Sequence, residues 1–177
     1  MAYTVPTTRS DGNIIGASAW NTDITDNITF LGDPPRVSAY RSSDLALTTA
    51  TETIVTLNAE TYDTDTMHST SSNTGRLVAS TPGLYLCRLR VFFETNTTGY
   101  RWARIYLNGV GVTVIDEASA ENPSSAVATS LLCEVEQYLA VGEYVEASVY
   151  HTRGSNLNLL GTGSRLTRFS ARWVAIS

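Results

Sequence analysis

The chain has 177 residues, enough for one well-cored domain with an extension and too few for two domains of ordinary size. Its net charge of −5 and pI near 4.9 argue against nucleic acid or an anionic membrane as the main partner. Charged residues make up 16% against 42% hydrophobic, all twelve basic residues are arginine, and threonine, valine and tyrosine are abundant, a composition for strands rather than helices.

Residues 1–35 form a distinct N-terminal arm, punctuated by Gly12, Gly16, Pro34 and Pro35. Met1–Pro6 lacks the charged and apolar segments of a secretory signal, so synthesis in a cytoplasm is expected. No run of about 18 apolar residues occurs to span a bilayer. Between Ser18 and Leu31, the residues Trp20, Ile24, Ile28 and Leu31 are spaced 4, 4 and 3, which predicts one apolar stripe on a short amphipathic helix. Ser18 or Asn21 is the expected cap, and Gly32 with Pro34-Pro35 the expected stop. A single helix of this length is marginal alone, so the stripe must pack on its own domain, on copies of itself or on something larger.

From Arg36 onward the pattern is strand after strand. Arg36–Ser42 and Thr51–Ala59 alternate, the latter with Ile54 facing one way and Val55 and Leu57 the other. Residues 60–74 are polar and read as a loop containing Asp63, Asp65 and His68. Pro82-Gly83 supplies turn chemistry. Then Tyr85, Cys87, Leu89, Val91 and Phe93 fall on every second position, predicting a long strand with one face in a core. Its other face starts apolar at Leu84 and Leu86, turns cationic at Arg88 and Arg90, and ends at Phe92, so a neighbouring sheet or another subunit is expected to cover part of it.

Asn96–Gly99 reads as a hairpin turn, with Tyr100–Asn108 returning antiparallel. That strand points Ala103, Ile105 and Leu107 inward and Tyr100, Trp102, Arg104 and Tyr106 outward. Asn108-Gly109 signals a turn, Val112–Ile115 a short strand and Glu121–Ser125 a loop. Val127–Val135 alternates. Glu143–His151 places Val145, Ala147 and Val149 on one face, with Tyr144, Glu146 and Tyr150 on the other. The closing segment alternates Phe169, Ala171, Trp173 and Ala175. Eight to ten short strands with polar turns, and no βαβ alternation, indicate an all-β sandwich or barrel. An apolar final strand belongs in a sheet centre, which is jelly-roll behaviour.

Three short motifs, in this order, give a family resemblance over residues 36–177. Arg76-Leu77-Val78-Ala79-Ser80-Thr81-Pro82-Gly83-Leu84-Tyr85 resembles the lead-in to a core strand of the tumour necrosis factor and complement globular-head jelly rolls. Leu139-Ala140-Val141-Gly142-Glu143-Tyr144-Val145 is similar to their later Gly-Asp turn, with Glu143 at the aspartate position. Phe169-Ser170-Ala171-Arg172-Trp173-Val174 resembles their aromatic last strand. The Tyr62–His68 loop, and the arm residues Trp20-Asn21, Phe30-Leu31 and Pro34-Pro35, look like those of small virion proteins of tailed bacteriophages that carry such a head. The resemblance implies a ten-stranded jelly-roll β-sandwich, tumour-necrosis-factor-like and usually homotrimeric, and it implies no catalytic activity.

The residues add their own expectation of self-association. Tyr100, Trp102, Tyr106 and Phe92, enlarged by Tyr144 and Tyr150, read as an aromatic surface too apolar to leave wet on a monomer, and aromatic residues with arginine mark protein interfaces. Catalytic signals are poor: two histidines, no nucleophile elbow, no zinc-protease helix. Cys87 and Cys133 fall on core faces, as a buried thiol pair or, if geometry allows, a disulfide. The Asp63, Asp65 and His68 loop reads as turn chemistry rather than a metal site, and no metal or cofactor is expected. Asn27-Ile28-Thr29 and Asn96-Thr97-Thr98 match the glycosylation acceptor pattern by chance.

The expected function is that of a non-enzymatic structural protein of a tailed-phage particle, made in the host cytoplasm and displayed on the virion surface. A homotrimeric knob (36–177) would be anchored through Trp20, Ile24, Ile28 and Leu31 of the arm to the major capsid protein or another virion platform. Decoration or cementing of the capsid is favoured, because the chain has no heptads or collagen-like run to build a shaft. The alternatives are a tail-fibre or adhesin head that binds a host glycan or receptor, and a secreted bacterial recognition module.

Overall fold

The structure is a computed structural model that describes residues 3–121 and 126–176. Positions 122–125 of the expected Glu121–Ser125 loop lie outside the described residues. The chain divides into two compact units, Met1–Pro35 and Arg36–Ser177, which are described separately.

In the first unit, α1 (Ala17–Trp20), a π-helical segment (Asn21–Asp26) and α2 (Asn27–Gly32) form one helical run. Ser18 and Asn21 do not cap it. Gly16 holds the cap position with extended backbone, and its carbonyl accepts from Trp20 N–H at 3.0 Å, so both expected caps lie within the helix. The run ends as expected: Asp33 N–H closes the last turn on Thr29 C=O at 3.2 Å, and Pro34-Pro35 cannot extend it. Residues 3–9 run along one side of the helix as a strap. Asn27 exchanges two hydrogen bonds with the Thr4 backbone, at 2.9 and 2.7 Å, and Arg9 pairs with Asp23 at 2.8 Å. The Tyr3 ring lies 6.2 Å from Phe30, which is buried. Asn27 also donates to Asp23 C=O, which leaves its amide fully engaged and unsuited to carry a glycan.

In the second unit, one sheet has seven strands: β1 (Arg36–Tyr40), β2 (Leu45–Leu47), β4 (Ala59–Asp63), β6 (Gly83–Phe93), β9 (Thr129–Leu139), β11 (Leu157–Leu159) and β12 (Arg168–Ala175). The other has five: β3 (Thr53–Ile54), β5 (Arg76–Val78), β7 (Arg101–Leu107), β8 (Thr113–Ala120) and β10 (Tyr144–His151). All pairings are antiparallel. The fold is a jelly-roll β-sandwich. As expected, the last strand is central: β12 lies between β1 and β6.

The core is built from the alternating residues. Tyr85, Cys87, Leu89, Val91 and Phe93 of β6, with Phe169 and Ala171 of β12, face Ala103 and Ile105 of β7 and Val145, Ala147 and Val149 of β10, all buried. Val55 and Leu57 are wholly buried beyond the two-residue β3, and their N–H groups donate to Ala147 C=O and Thr74 C=O, both at 2.8 Å.

Three expectations about the second unit are corrected. Residues 94–100 do not form a hairpin, because β6 and β7 belong to different sheets; the segment crosses the sandwich, and the Arg101 guanidinium ties it by donating to Asn96 C=O at 3.0 Å. The strand expected at 112–115 instead spans Thr113–Ala120, because the whole of β7 pairs with it. The loop expected at 60–74 begins as β4, and β2 was not anticipated.

Candidate functional site

Three surfaces concern function: the arm's stripe and the outer faces of the two sheets. Within the arm, Trp20, Ile24, Ile28 and Leu31 are 52%, 39%, 65% and 58% exposed. The strap bonds to Asp23 and Asn27 and sets Tyr3 against Phe30. Its Pro6, Thr7 and Arg9 also line a cavity of about 230 Å³ with Ile15, Trp20 and Ile24, so the strap borders the first half of the stripe and leaves Ile28 and Leu31 the most open.

The outer face of the five-stranded sheet carries five of the six aromatic residues expected at an interface. Register places Tyr150 opposite Trp102, Ser148 opposite Arg104 and Glu146 opposite Tyr106. Trp102 stacks on Tyr150 with centroids 5.2 Å apart and planes within 6°, and Tyr100 lies 5.7 Å beyond. The Arg104 guanidinium sits 4.1 Å from the Trp102 centroid and pairs with Glu117 of β8. Glu52 accepts from Tyr106 Oη and Ser148 Oγ, both at 2.7 Å. Burial and this carboxylate raise the Tyr106 phenol above its ordinary value. Tyr144 lies under Arg76 at 4.3 Å and donates to Asn108 C=O at 2.9 Å. Glu146, buried, accepts from Arg76 Nε and Val110 N–H.

Trp102 and Tyr106 are therefore only 8% and 3% exposed, and Tyr100 is the aromatic left open, at 41%. The chain covers most of this face with its own side chains, so an uncovered aromatic surface is not what the structure shows. Phe92 does not belong to it at all. It sits on β6, on the outer face of the seven-stranded sheet, because residues 94–100 cross between sheets.

On that second face, Arg168 of β12, Arg90 of β6 and Leu132 of β9 lie in one row, and Ser170, Arg88 and Glu134 in the next. Arg172, Leu86 and Glu136 follow, and Leu84 sits opposite Tyr138. Arg88 pairs with Glu134. Arg168 Nη1 donates to Ser38 Oγ at 3.0 Å and Thr61 Oγ1 at 3.1 Å, while Arg90 rests over Phe92 at 4.7 Å. Leu132, Tyr138 and Val174 are about half exposed (52%, 42% and 41%). A cavity of about 370 Å³ opens beside Phe92, and another of about 240 Å³ lies near Tyr62 and Arg172. Sequence reasoning marked this face as cationic and partly apolar but gave it less weight than the aromatics.

The remaining reactive residues have local work. Asp63 accepts from the backbone N–H groups of Asp65, Met67 and His68, and Asp65 from Ser80 and Thr81 hydroxyls. His68 is held between Glu60 (2.7 Å) and Thr74 C=O (3.1 Å). Asp63 and His68 shape the 60–74 loop by side chain to backbone bonds, and Asp65 ties it to the Ser80 and Thr81 side chains. Cys87 and Cys133 are free and buried, and burial pushes both thiols up to about 12, which disfavours a nucleophilic thiolate.

No protein-family model matches the sequence, and no curated protein matches it. Among solved structures, the globular domain of zebrafish complement 1qA protein is similar at 16% identity and a TM-score of 0.57, covering 81% of this chain and 99% of that one. Murine APRIL is similar at 13% identity and 0.58, covering 78% and 99%. Eiger TNF from S. frugiperda is similar at 12% identity and 0.54, covering 81% and 95%. At these identities the likeness shows the fold.

Proposed function

We propose that this chain is a non-enzymatic structural protein of a tailed-phage particle, a homotrimeric jelly-roll knob held to the virion by residues 1–35 and decorating or cementing its capsid. The observation that carries the reading is the arm. Four large apolar residues lie along one helical run and stay exposed, although the strap borders Trp20 and Ile24. An apolar stripe of this kind asks for a platform. Three arms per trimer turn weak individual contacts into firm attachment through multivalency.

The knob supplies its own contact between copies. Leu84, Leu86, Tyr138 and Val174 cluster at one end of the seven-stranded sheet, on a face that no other sheet of the chain covers. Apolar residues bordered by arginine suit a subunit interface. The aromatic face of the other sheet contributes less, since its rings are already stacked and bonded within the chain.

The test is a full chain against one lacking residues 1–33, each mixed with particles stripped of the protein. The full chain restores decoration, and the truncated chain stays a folded trimer that does not bind. Binding of the truncated chain at full occupancy would place the anchor on the knob. Co-purification with empty heads supports the capsid placement. Recovery with isolated tails favours the adhesin-head reading, for which the open cavity beside Phe92 is the supporting observation.

A further inference from the structure

Arg90 and Arg168 stand directly opposite each other on β6 and β12. Like charges in that position repel and cost stability. The chain has 17 acidic residues against 12 arginines, so partners were available, yet among the described residues neither arginine pairs with a carboxylate. Arg88, in the next row, is neutralised by Glu134. The two unpaired guanidinium groups are nonetheless held in place. Two hydroxyls fix Nη1 of Arg168, and Arg90 lies on the Phe92 ring. Both line the cavity of about 370 Å³, together with Phe92, Leu166, Ser164 and Arg88.

We infer that this cavity is a binding site for a sugar-sized ligand bearing an oxyanion, a carboxylate or a phosphate, which meets the cationic wall formed by Arg90 and Arg168. Guanidinium groups match the paired oxygens of either anion. The space lies in the range of small-molecule sites, and Phe92 and Leu166 give it an apolar wall for the ligand body, with Ser164 a hydroxyl at the rim. An anion seated there balances positive charge that no carboxylate among the described residues pairs with. Arg90 and Phe92 lie toward the opposite end of β6 from Leu84. The site does not rest on the virion reading.

The test is calorimetric titration of the full chain with glucuronate, glucose 6-phosphate and glucose, at low and high salt, repeated on R90Q/R168Q and on R172Q. Saturable binding of glucuronate or glucose 6-phosphate is expected, weakened by salt, reduced more than tenfold in R90Q/R168Q and unchanged in R172Q. Whichever acidic sugar binds more tightly identifies the anion as carboxylate or phosphate. Equal binding of glucose, or unchanged binding to R90Q/R168Q, overturns the inference. No binding of either acidic sugar overturns it too. Sedimentation of R90Q/R168Q closes the remaining route: a changed oligomeric state would mean that the arginines meet acidic groups of another copy and not a ligand.

Discussion

The outer faces of the two sheets have the same kinds of residue and opposite states. On the five-stranded sheet, each aromatic ring has a neighbour from the same chain: Trp102 lies between Tyr150 and Arg104, Tyr106 is bonded to Glu52, and Tyr144 lies under Arg76. On the seven-stranded sheet, Arg88 pairs with Glu134, but Arg90 and Arg168 stand opposite each other with no carboxylate partner among the described residues, and Leu84, Tyr138 and Val174 lie open or half-open. Aromatic content alone does not mark an interface. What marks it is whether the neighbours that would cover an aromatic or balance a charge already belong to the chain. The first face is largely covered by its own chain, and the second is the more open of the two.

The comparison breaks most sharply under substitution at the open end. Leu84→Glu with Tyr138→Glu should abolish trimerisation while strand content by circular dichroism stays the same. The sedimenting mass then falls from three times 19.2 kDa to that of one chain. A charged pair placed there without effect on mass would move the contact elsewhere. Trp102→Ala should do the reverse, costing about 3 kcal/mol of unfolding free energy in urea through the lost ring and its cavity, with the trimer retained. Dissociation of this variant at native temperature would restore the aromatic face as the interface. A smaller effect is expected from Glu52→Ala, about 1–2 kcal/mol, because Tyr106 and Ser148 lose one shared acceptor. Glu52→Gln keeps an acceptor oxygen and should recover much of that loss.

The smallest effect is a pH dependence. His151 is fully buried; one ring nitrogen donates to Leu47 C=O and the other accepts from Arg153 N–H. Burial holds its pKa below the ordinary 6.5, against the opposing bond to Leu47 and with smaller contributions from Arg101 and Arg153. The unfolded chain therefore binds a proton that the folded chain refuses. Stability is full above pH 6.5 and declines as pH falls below it, until the folded-state pKa is reached. His151→Gln should lower stability overall and flatten that slope in denaturation series from pH 7.5 to 5.

Much of the jelly roll was legible because its core strands alternate cleanly. Tyr85 to Phe93 and Val145 to Val149 read inward from spacing alone, and the apolar last segment read as a central strand. Sheet membership was not legible. Asn96–Gly99 has hairpin chemistry, and nothing local says that the chain leaves one sheet for the other there; only Arg101, buried where a strand's first residue is usually apolar, hints at it. That one misreading put Phe92 among the aromatics of the wrong face. The candidate surfaces were half legible. Spacing found the arm's stripe, whereas the pairing of Arg90 with Arg168 depends on register between segments 78 positions apart, which no periodicity encodes.

The place of β12 has a consequence for how the chain is made. It fills the gap between β1 and β6, so the ladder that joins the first strand to the middle of the sheet does not exist until Ala175 has left the ribosome. Until then β1 and β6 present open edges to every other nascent copy nearby. The long-range pairing that closes them is slow to form. How fast residues 168–175 find their slot therefore decides how long those edges stay exposed.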